Sequence, residues 1–316
     1  MQVIPRETLL ERLSHVDLIS RIEDAFRAYS RGAANVPPPG ELLLDDPPGE
    51  VHIKYGTLAD TPWIVIKVAS GFGTNAARGL STSQGLLLIL DRRTGVPHAL
   101  LADDGALTDL RTAVAGAIAA KWLAPSDVDT IGVIGAGIQA RLQVEQICRV
   151  RPIRRVVIWN RTPAHADQLA QHFSDLGLDA RRCASARDVA GEARLIVTTT
   201  SARAPVLHDA DVQPGTHITA IGADTAEKCE LDPQLFARAQ RVVTDSIAHS
   251  TQRGELRHAI AAGTLDAARI VELGTVLSAP PVARGAGDVT IAALTGLAVQ
   301  DIAIASAVLA SGDALR

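Results

Sequence analysis

The chain has 316 residues, with 31 basic and 35 acidic side chains and a formal net charge of −4. That length predicts two domains, and 47% hydrophobic with 21% charged residues fits an ordered globular chain rather than long disorder. The mild negative charge offers nothing to nucleic acid or an anionic membrane, no stretch approaches the ~20 apolar residues of a spanning helix, and the N-terminal MQVIPRETLLERL is charged where a signal peptide is apolar, so a cytoplasmic protein is expected.

Within residues 6–31 the apolar positions Leu9, Leu10, Leu13, Val16, Ile19, Ile22, Ala25, Phe26 and Tyr29 recur near a 3.6-residue spacing, which predicts one amphipathic helix ending at Gly32. Pro37-Pro38-Pro39-Gly40 then forces an extended segment. Strands are expected at 51–56, 63–70 and 85–91, separated by turn signals, so the first third reads as α+β with a meandering sheet. Thr108 is a candidate cap for an alanine-rich helix running through Ala120 and Trp122.

From Asp129 the pattern changes. Short β-branched runs at 130–134, 155–159, 195–199, 217–221 and 242–244 alternate with helical stretches at 138–150, 163–176 and 232–239. Strand, helix and strand at this spacing mean right-handed crossovers and a doubly wound parallel sheet. Residues 288–315 read as a final helical segment returning to the first domain. The expected division is therefore 1–118 with 289–316, discontinuous, and 119–288.

Ile131-Gly-Val-Ile-Gly-Ala-Gly-Ile-Gln-Ala140 carries Gly135-x-Gly137-x-x-Ala140 between a predicted strand and a predicted helix. Glycines there allow a tight turn and let the backbone approach a pyrophosphate, which the helix N-terminus favours. The next strand ends in Asn160-Arg161-Thr162, where an NAD site usually places an acidic residue for the ribose 2′-hydroxyl. Asn, Arg and Thr suit a 2′-phosphate instead, so NADP(H) is the preferred cofactor and NAD(H) the alternative. Cys148, Cys183 and Cys229 form no CxxC pair, the nine histidines show no HExxH spacing, and no GxSxG elbow is present, so neither a metal site nor a serine hydrolase is expected.

Several segments together resemble the ornithine cyclodeaminase/μ-crystallin family: Lys67…Asn75…Gly79-Leu80…Thr82…Gln84-Gly85, Leu107-Thr-Asp-Leu-Arg111-Thr-Ala113, the IGAGIQA turn, Gly222-Ala-Asp224-Thr-Ala-Glu-Lys228-Cys-Glu230-Leu231, and Asp288-Val-Thr-Ile…Gly296-Leu-Ala-Val-Gln300-Asp301. The resemblance implies a Rossmann domain joined to an α+β domain for substrate binding and dimerisation, hence a homodimer, and redox chemistry at the Cα–N bond of a small amino or imino acid. It implies Lys67 and Asp224 as catalytic residues, with Lys67 and Arg111 holding the substrate's carboxylate and amine. Thr82 is expected at both substrate and cofactor. The expected cofactor set is completed by Gly135, Ala136, Gly137, Ile138, Gln139, Asn160, Arg161, Thr162, Thr199, Thr200, Ser201, Gly222 and Gly296.

The residues themselves are compatible with this. Lys67 lies in an apolar strand, where a cation is costly unless paired. Arg111 lies in the first turns of a helix, where an anion should compensate it; a substrate carboxylate would serve, and a structural bridge to Asp103, Asp104 or Asp109 is the competing reading. Many members of the family carry an arginine after a double proline, but here the segment reads Val36-Pro-Pro-Pro-Gly-Glu41. Lys54 is the candidate replacement cation, and Glu41 either faces a basic substrate group or is simply solvated. Cyclodeaminase and NADPH-dependent ketimine reductase chemistry would use the same residues. An amino-acid dehydrogenase of the alanine dehydrogenase type and a non-catalytic μ-crystallin-like binding protein are the alternatives.

Overall fold

In the computed structural model, residues 1–280 and 283–313 are described. The chain divides into two compact units, Met1–Arg111 with Leu297–Arg316, and Thr112–Gly296. The expected breaks at 118/119 and 288/289 therefore move to 111/112 and 296/297. The strands in chain order are β1 (Gln2–Pro5), β2 (Ala34–Asn35), β3 (Gly40–Asp45), β4 (Pro48–Leu58), β5 (Trp63–Gly71), β6 (Ser83–Asp91), β7 (Pro97–Ala102), β8 (Thr130–Ile134) and β9 (Arg155–Trp159). They continue with β10 (Asp179–Arg182), β11 (Leu195–Thr198), β12 (Arg203–Leu207), β13 (His217–Ala220), β14 (Cys229–Leu231), β15 (Arg241–Thr244), β16 (Ile270–Glu272) and β17 (Thr290–Ala293). The α-helices are α1 (Arg6–Leu13), α2 (Leu18–Ser30), α3 (Ala106–Leu123), α4 (Ile138–Ile147), α5 (Pro163–Asp175), α6 (Ala186–Glu192), α7 (Gln234–Arg238), α8 (Ile247–Ser250), α9 (Gly254–Ala261), α10 (Leu273–Ser278) and α11 (Ala298–Asp313).

In the first unit the strands run in the order β1-β7-β6-β5-β4-β2, with β3 also paired to β4. All neighbours from β7 to β2 are antiparallel, and β1 adds a parallel edge. Helices α2 and α11 pack together, and α11 also packs on β4 and β5. The core contains Ile22, Phe26, Val65, Leu87, Ile89 and Leu101, each at most 1% exposed. Burying a side chain of this size contributes about 1.5–3 kcal/mol. The single helix expected over 6–31 is two helices. Asp17 interrupts it, because its carboxylate accepts bonds from Ser20 N (3.1 Å) and Ser20 Oγ (2.6 Å) and so caps a fresh N-terminus. Thr108 is likewise not a cap, since α3 starts earlier; Asp103 Oδ2 accepts the Leu107 N–H at 2.8 Å.

The second unit is a parallel sheet in the order β10-β9-β8-β11-β13-β17-β15-β16, with a separate parallel pair of β12 and β14. Order 3-2-1-4 around β8 is the doubly wound arrangement, and the crossover reverses between β8 and β11. Residues 290–293, expected to be helical, form β17, inserted between β13 and β15. Only from Ala298 does the tail become helical. Near the opposite end of this sheet His217 is fully buried between Thr290 Oγ1 and Thr219 Oγ1, each 2.9 Å away. Burial holds it neutral, with its pKa pushed down to about 3.

Candidate active site

In the first unit, a strand, a neighbouring strand and two helices bring charges together that lie far apart in sequence. Lys67 on β5 points to the buried face of the sheet and is 2% exposed. Its Nζ lies 3.2 Å from Asp301 Oδ2, in the first turn of α11. Arg111, in α3, reaches the other oxygen of the same carboxylate with Nε at 3.1 Å and donates from Nη1 to Gln300 Oε1 at 2.9 Å. The compensating anion for Arg111 is thus Asp301 rather than Asp103, Asp104 or Asp109. Lys54 stands directly opposite Lys67 in the β4–β5 register, so both lysines share one sheet face.

Two buried cations, Lys67 and Arg111, share the buried Asp301 carboxylate, and the charge of Lys54 across the strand also acts on it. Burial first, then the charges of Arg111 and Lys54, drives the Lys67 ammonium down to about 7, with Asp301 opposing the fall. The same cations hold Asp301 below the usual carboxylate range against its own burial. A further buried carboxylate, Asp103, is raised by its burial. Positive charge that is desolvated in this way has most to gain from an arriving carboxylate, and Arg111 has five N–H donors in a planar fork for one.

The other two expected substrate residues are Glu41, which the β3–β4–β5 register puts on the same sheet face as Lys54 and Lys67, and Thr82. Glu41 lies on the exposed strand β3, opposite His52 in the register, with its Oε1 3.6 Å from His52 Nδ1. Thr82 lies exposed in the loop before β6, where its carbonyl accepts the Phe72 N–H at 2.9 Å.

In the second unit the expected cofactor residues gather at one edge, and the register explains why. Ile134 of β8 is level with Trp159 and Thr198, Thr198 with Ala220, Ala220 with Ala293, and Ala293 with Thr244. The segments that follow these residues therefore all emerge at the carboxyl edge: Gly135-Ala136-Gly137, Asn160-Arg161-Thr162, Thr199-Thr200-Ser201, Gly222 to Asp224, and Gly296. Doubly wound sheets bind their ligands at this edge, at the reversal of strand order.

This edge fits a dinucleotide. Gly135 has φ +121°, and a Cβ there would lie 2.4 Å from Thr199 Oγ1, so only glycine makes the turn. Gly137 differs: no atom lies within 4 Å of its missing Cβ, which leaves open space in front of the helix. No side chain caps α4, and a helix N-terminus of this kind favours a phosphate. Thr199 Oγ1 is buried without a partner among the described residues. After β9, Asn160 Nδ2 donates to Thr162 O at 3.1 Å and shapes the turn, leaving Arg161 exposed.

Asp224 lies in the loop after β13, 38% exposed, with Lys228 Nζ 2.7 Å from its Oδ1. Gly296 has φ +81° and donates its N–H to the buried Asp245 at 2.6 Å. Asp245, Asp301 and Glu255 have structural roles that the sequence reading did not assign. Two cations in apolar surroundings demand an anion somewhere in the chain, but nothing local in the sequence singles out Asp301. No group of metal-ligating side chains occurs among the described residues, and no described helix is long and apolar enough to cross a membrane.

Comparison with known proteins agrees with this chemistry. The sequence model of the ornithine cyclodeaminase/mu-crystallin family matches residues 3–313. Iminosuccinate reductase of Paracoccus denitrificans is 38% identical over 309 residues, 98% of this chain and 96% of the relative. The Thermococcus litoralis Delta(1)-pyrroline-2-carboxylate reductase in complex with NADH and L-proline superposes with a TM-score of 0.92 at 28% identity, covering 99% of this chain and 97% of that one. An archaeal alanine dehydrogenase dimer with bound NAD gives 0.90 at 29% identity, covering 99% and 96%. The chain belongs to the ornithine cyclodeaminase/mu-crystallin family and is an NAD(P)-dependent oxidoreductase or cyclodeaminase acting at the Cα–N bond of a small amino or imino acid.

Proposed function

We propose that the chain is an NADPH-preferring reductase of a small cyclic or linear α-imino acid. The observation that carries this reading is the pairing of Lys67 and Arg111 on the buried carboxylate of Asp301, with Lys54 opposite Lys67 on the same sheet face. Arg111 and Lys54 bind the substrate carboxylate. Lys67, with its pKa near 7, exchanges a proton with the substrate nitrogen at neutral pH. Asp301 holds both buried cations in place without reacting. Asp224 acts as the general acid/base, and its ion pair with Lys228 orients the carboxylate. When bound at the Gly135–Gly137 edge, the nicotinamide supplies the hydride for Cα.

The preference for NADPH is supported by Asn160-Arg161-Thr162, which offers a cation and two polar side chains where an acidic residue would favour the free ribose hydroxyl. A homodimer formed through the first unit is supported by β3. All six residues of that strand are exposed, and Leu42, Leu43 and Leu44 are 56%, 54% and 39% exposed, apolar surface that a monomer would leave in water. A cytoplasmic location is in keeping with free thiols at Cys148, Cys183 and Cys229. The experiment is an NAD(P)H-coupled screen of cyclic imino acids, L-alanine, an α-keto acid with ammonia, L-ornithine and L-lysine. Imino-acid-dependent NADPH oxidation is expected. Turnover of L-ornithine or L-lysine with ammonia release and no net change in cofactor would replace this reading by the cyclodeaminase one.

A further inference from the structure

The second unit contains a buried acidic pair that lies outside the expected site residues. Glu230, on β14, is completely buried and its carboxylate accepts four hydrogen bonds. Oε1 accepts from Thr200 N at 2.5 Å and Thr200 Oγ1 at 2.8 Å; Oε2 accepts from Thr198 Oγ1 and Gly222 N, both at 2.8 Å. One side chain therefore ties the end of β11 and its following loop to the loop after β13. The fit is close: a Cβ at Gly222 would lie 2.0 Å from Thr200 O and 2.7 Å from the Glu230 carboxylate.

Glu230 is itself held from behind. Glu255, 3% exposed in the first turn of α9, accepts Glu230 N at 2.7 Å and Leu231 N at 3.1 Å. The same helix grips the Asp224 loop along its length. Gly254 N donates to Thr225 O at 2.9 Å, Arg257 Nη1 donates to Ala226 O at 2.9 Å, and His258 Nε2 lies 3.1 Å from Lys228 O. Two buried carboxylates this close are costly, and burial with the charge of Glu230 pushes Glu255 up to about 8. A hydrophobic pair could fill the same volume, but it could not present four acceptor sites to two separate loops.

We propose that Glu230, backed by Glu255, is a positioning residue that sets the loop carrying Thr199 and Thr200 relative to the loop carrying Gly222 and Asp224. It thereby fixes both nicotinamide affinity and the placement of the general acid/base. The inference rests on the assignment of this edge to the cofactor.

The test uses the full-length chain and Glu230→Gln. The amide keeps the shape but turns half the acceptor sites into donors facing hydroxyl and N–H groups. NADPH dissociation constants come from quenching of intrinsic tryptophan fluorescence, melting temperature from calorimetry, and kcat and KM from steady-state assays. The expected result is a dissociation constant for NADPH raised about tenfold or more and a kcat lowered by a similar factor, with the imino-acid KM nearly unchanged. Thr198→Val, which deletes one of the four bonds at nearly constant volume, should move the same two parameters by a smaller factor, and it decides the matter if Glu230→Gln does not fold. A lowered melting temperature with unchanged NADPH affinity and kcat in both variants would reduce the pair to a structural brace. Wild-type protein that binds neither NADPH nor NADH would instead overturn the cofactor assignment.

Discussion

Burial strips the Lys67 ammonium of water, and its pKa near 7 makes it the side chain in the cluster that changes charge at neutral pH. Its contribution to stability has a definite sign. Because the folded pKa lies below the ordinary 10.5, the unfolded chain binds the extra proton, so this group's contribution falls as pH drops from about 10.5 to about 7 and is flat below. In the pH profile of kcat/KM we expect a limb near 7 that is absent in Lys67→Met, together with lower turnover and weaker substrate binding. Asp301→Asn leaves two buried cations without their anion, and should cost about 3–5 kcal/mol in denaturant unfolding while moving that limb to lower pH. A limb that persists unchanged in Lys67→Met would assign the titration to another group. Asp224→Asn keeps the shape of the side chain but not its acid/base capacity, and turnover should fall by roughly 10²–10⁴-fold with NADPH binding nearly unchanged. Lys67 and Arg111 were legible in the sequence as cations out of place. Their anion was not, because Asp301 follows Arg111 by 190 residues and no local pattern pairs them; the carboxylates close in sequence were the natural guess.

At the scale of elements, short β-branched runs carried the strongest signal. The expected strands at 130–134 and 155–159 coincide with β8 and β9, because short, nearly continuous β-branched runs mark parallel strands buried on both faces. The Thr290–Ala293 strand was hidden by the opposite circumstance: Thr-Ile-Ala-Ala, running into an alanine-rich helix, carries no period of two. Asp17 was equally hard to see, since the apolar spacing continues across the break that its cap creates. The Gly135–Gly137 turn yields a contrast between two substitutions. Gly137→Val meets open space and should keep the melting temperature close to wild type while abolishing NADPH binding. Gly135→Ala puts a methyl group against Thr199 at a positive φ and should lower the melting temperature as well. If Gly137→Val binds NADPH normally, the pyrophosphate does not lie at this turn. On β3, Leu43→Glu places a charge among exposed apolar side chains and should shift sedimentation from dimer to monomer; an unchanged dimer would place the interface elsewhere.

For the whole molecule, the claim is that a nucleotide-binding parallel sheet and a carboxylate-binding antiparallel sheet belong to one enzyme that reduces a small imino acid. Cofactor choice is its first molecular-scale consequence: Arg161→Ala should weaken NADPH by about 1–3 kcal/mol and leave NADH nearly unaffected, and equal affinity of the unmodified protein for both cofactors would remove the 2′-phosphate assignment. The family motifs run through nearly the entire sequence, so the architecture was legible, whereas the substrate side chain was not. Glu41 lies on an exposed strand beside His52, on the sheet face that also carries Lys54 and Lys67, and its type alone does not say which group it meets. The central claim is tested most directly by following the hydride. NADPH deuterated at the transferred position is mixed with enzyme and a small cyclic imino acid, and the product amino acid is analysed by mass spectrometry and proton NMR. One deuterium at Cα per NADPH consumed is the predicted result. An amino acid formed without deuterium at Cα, or no consumption of NADPH or NADH with any imino acid, would contradict it.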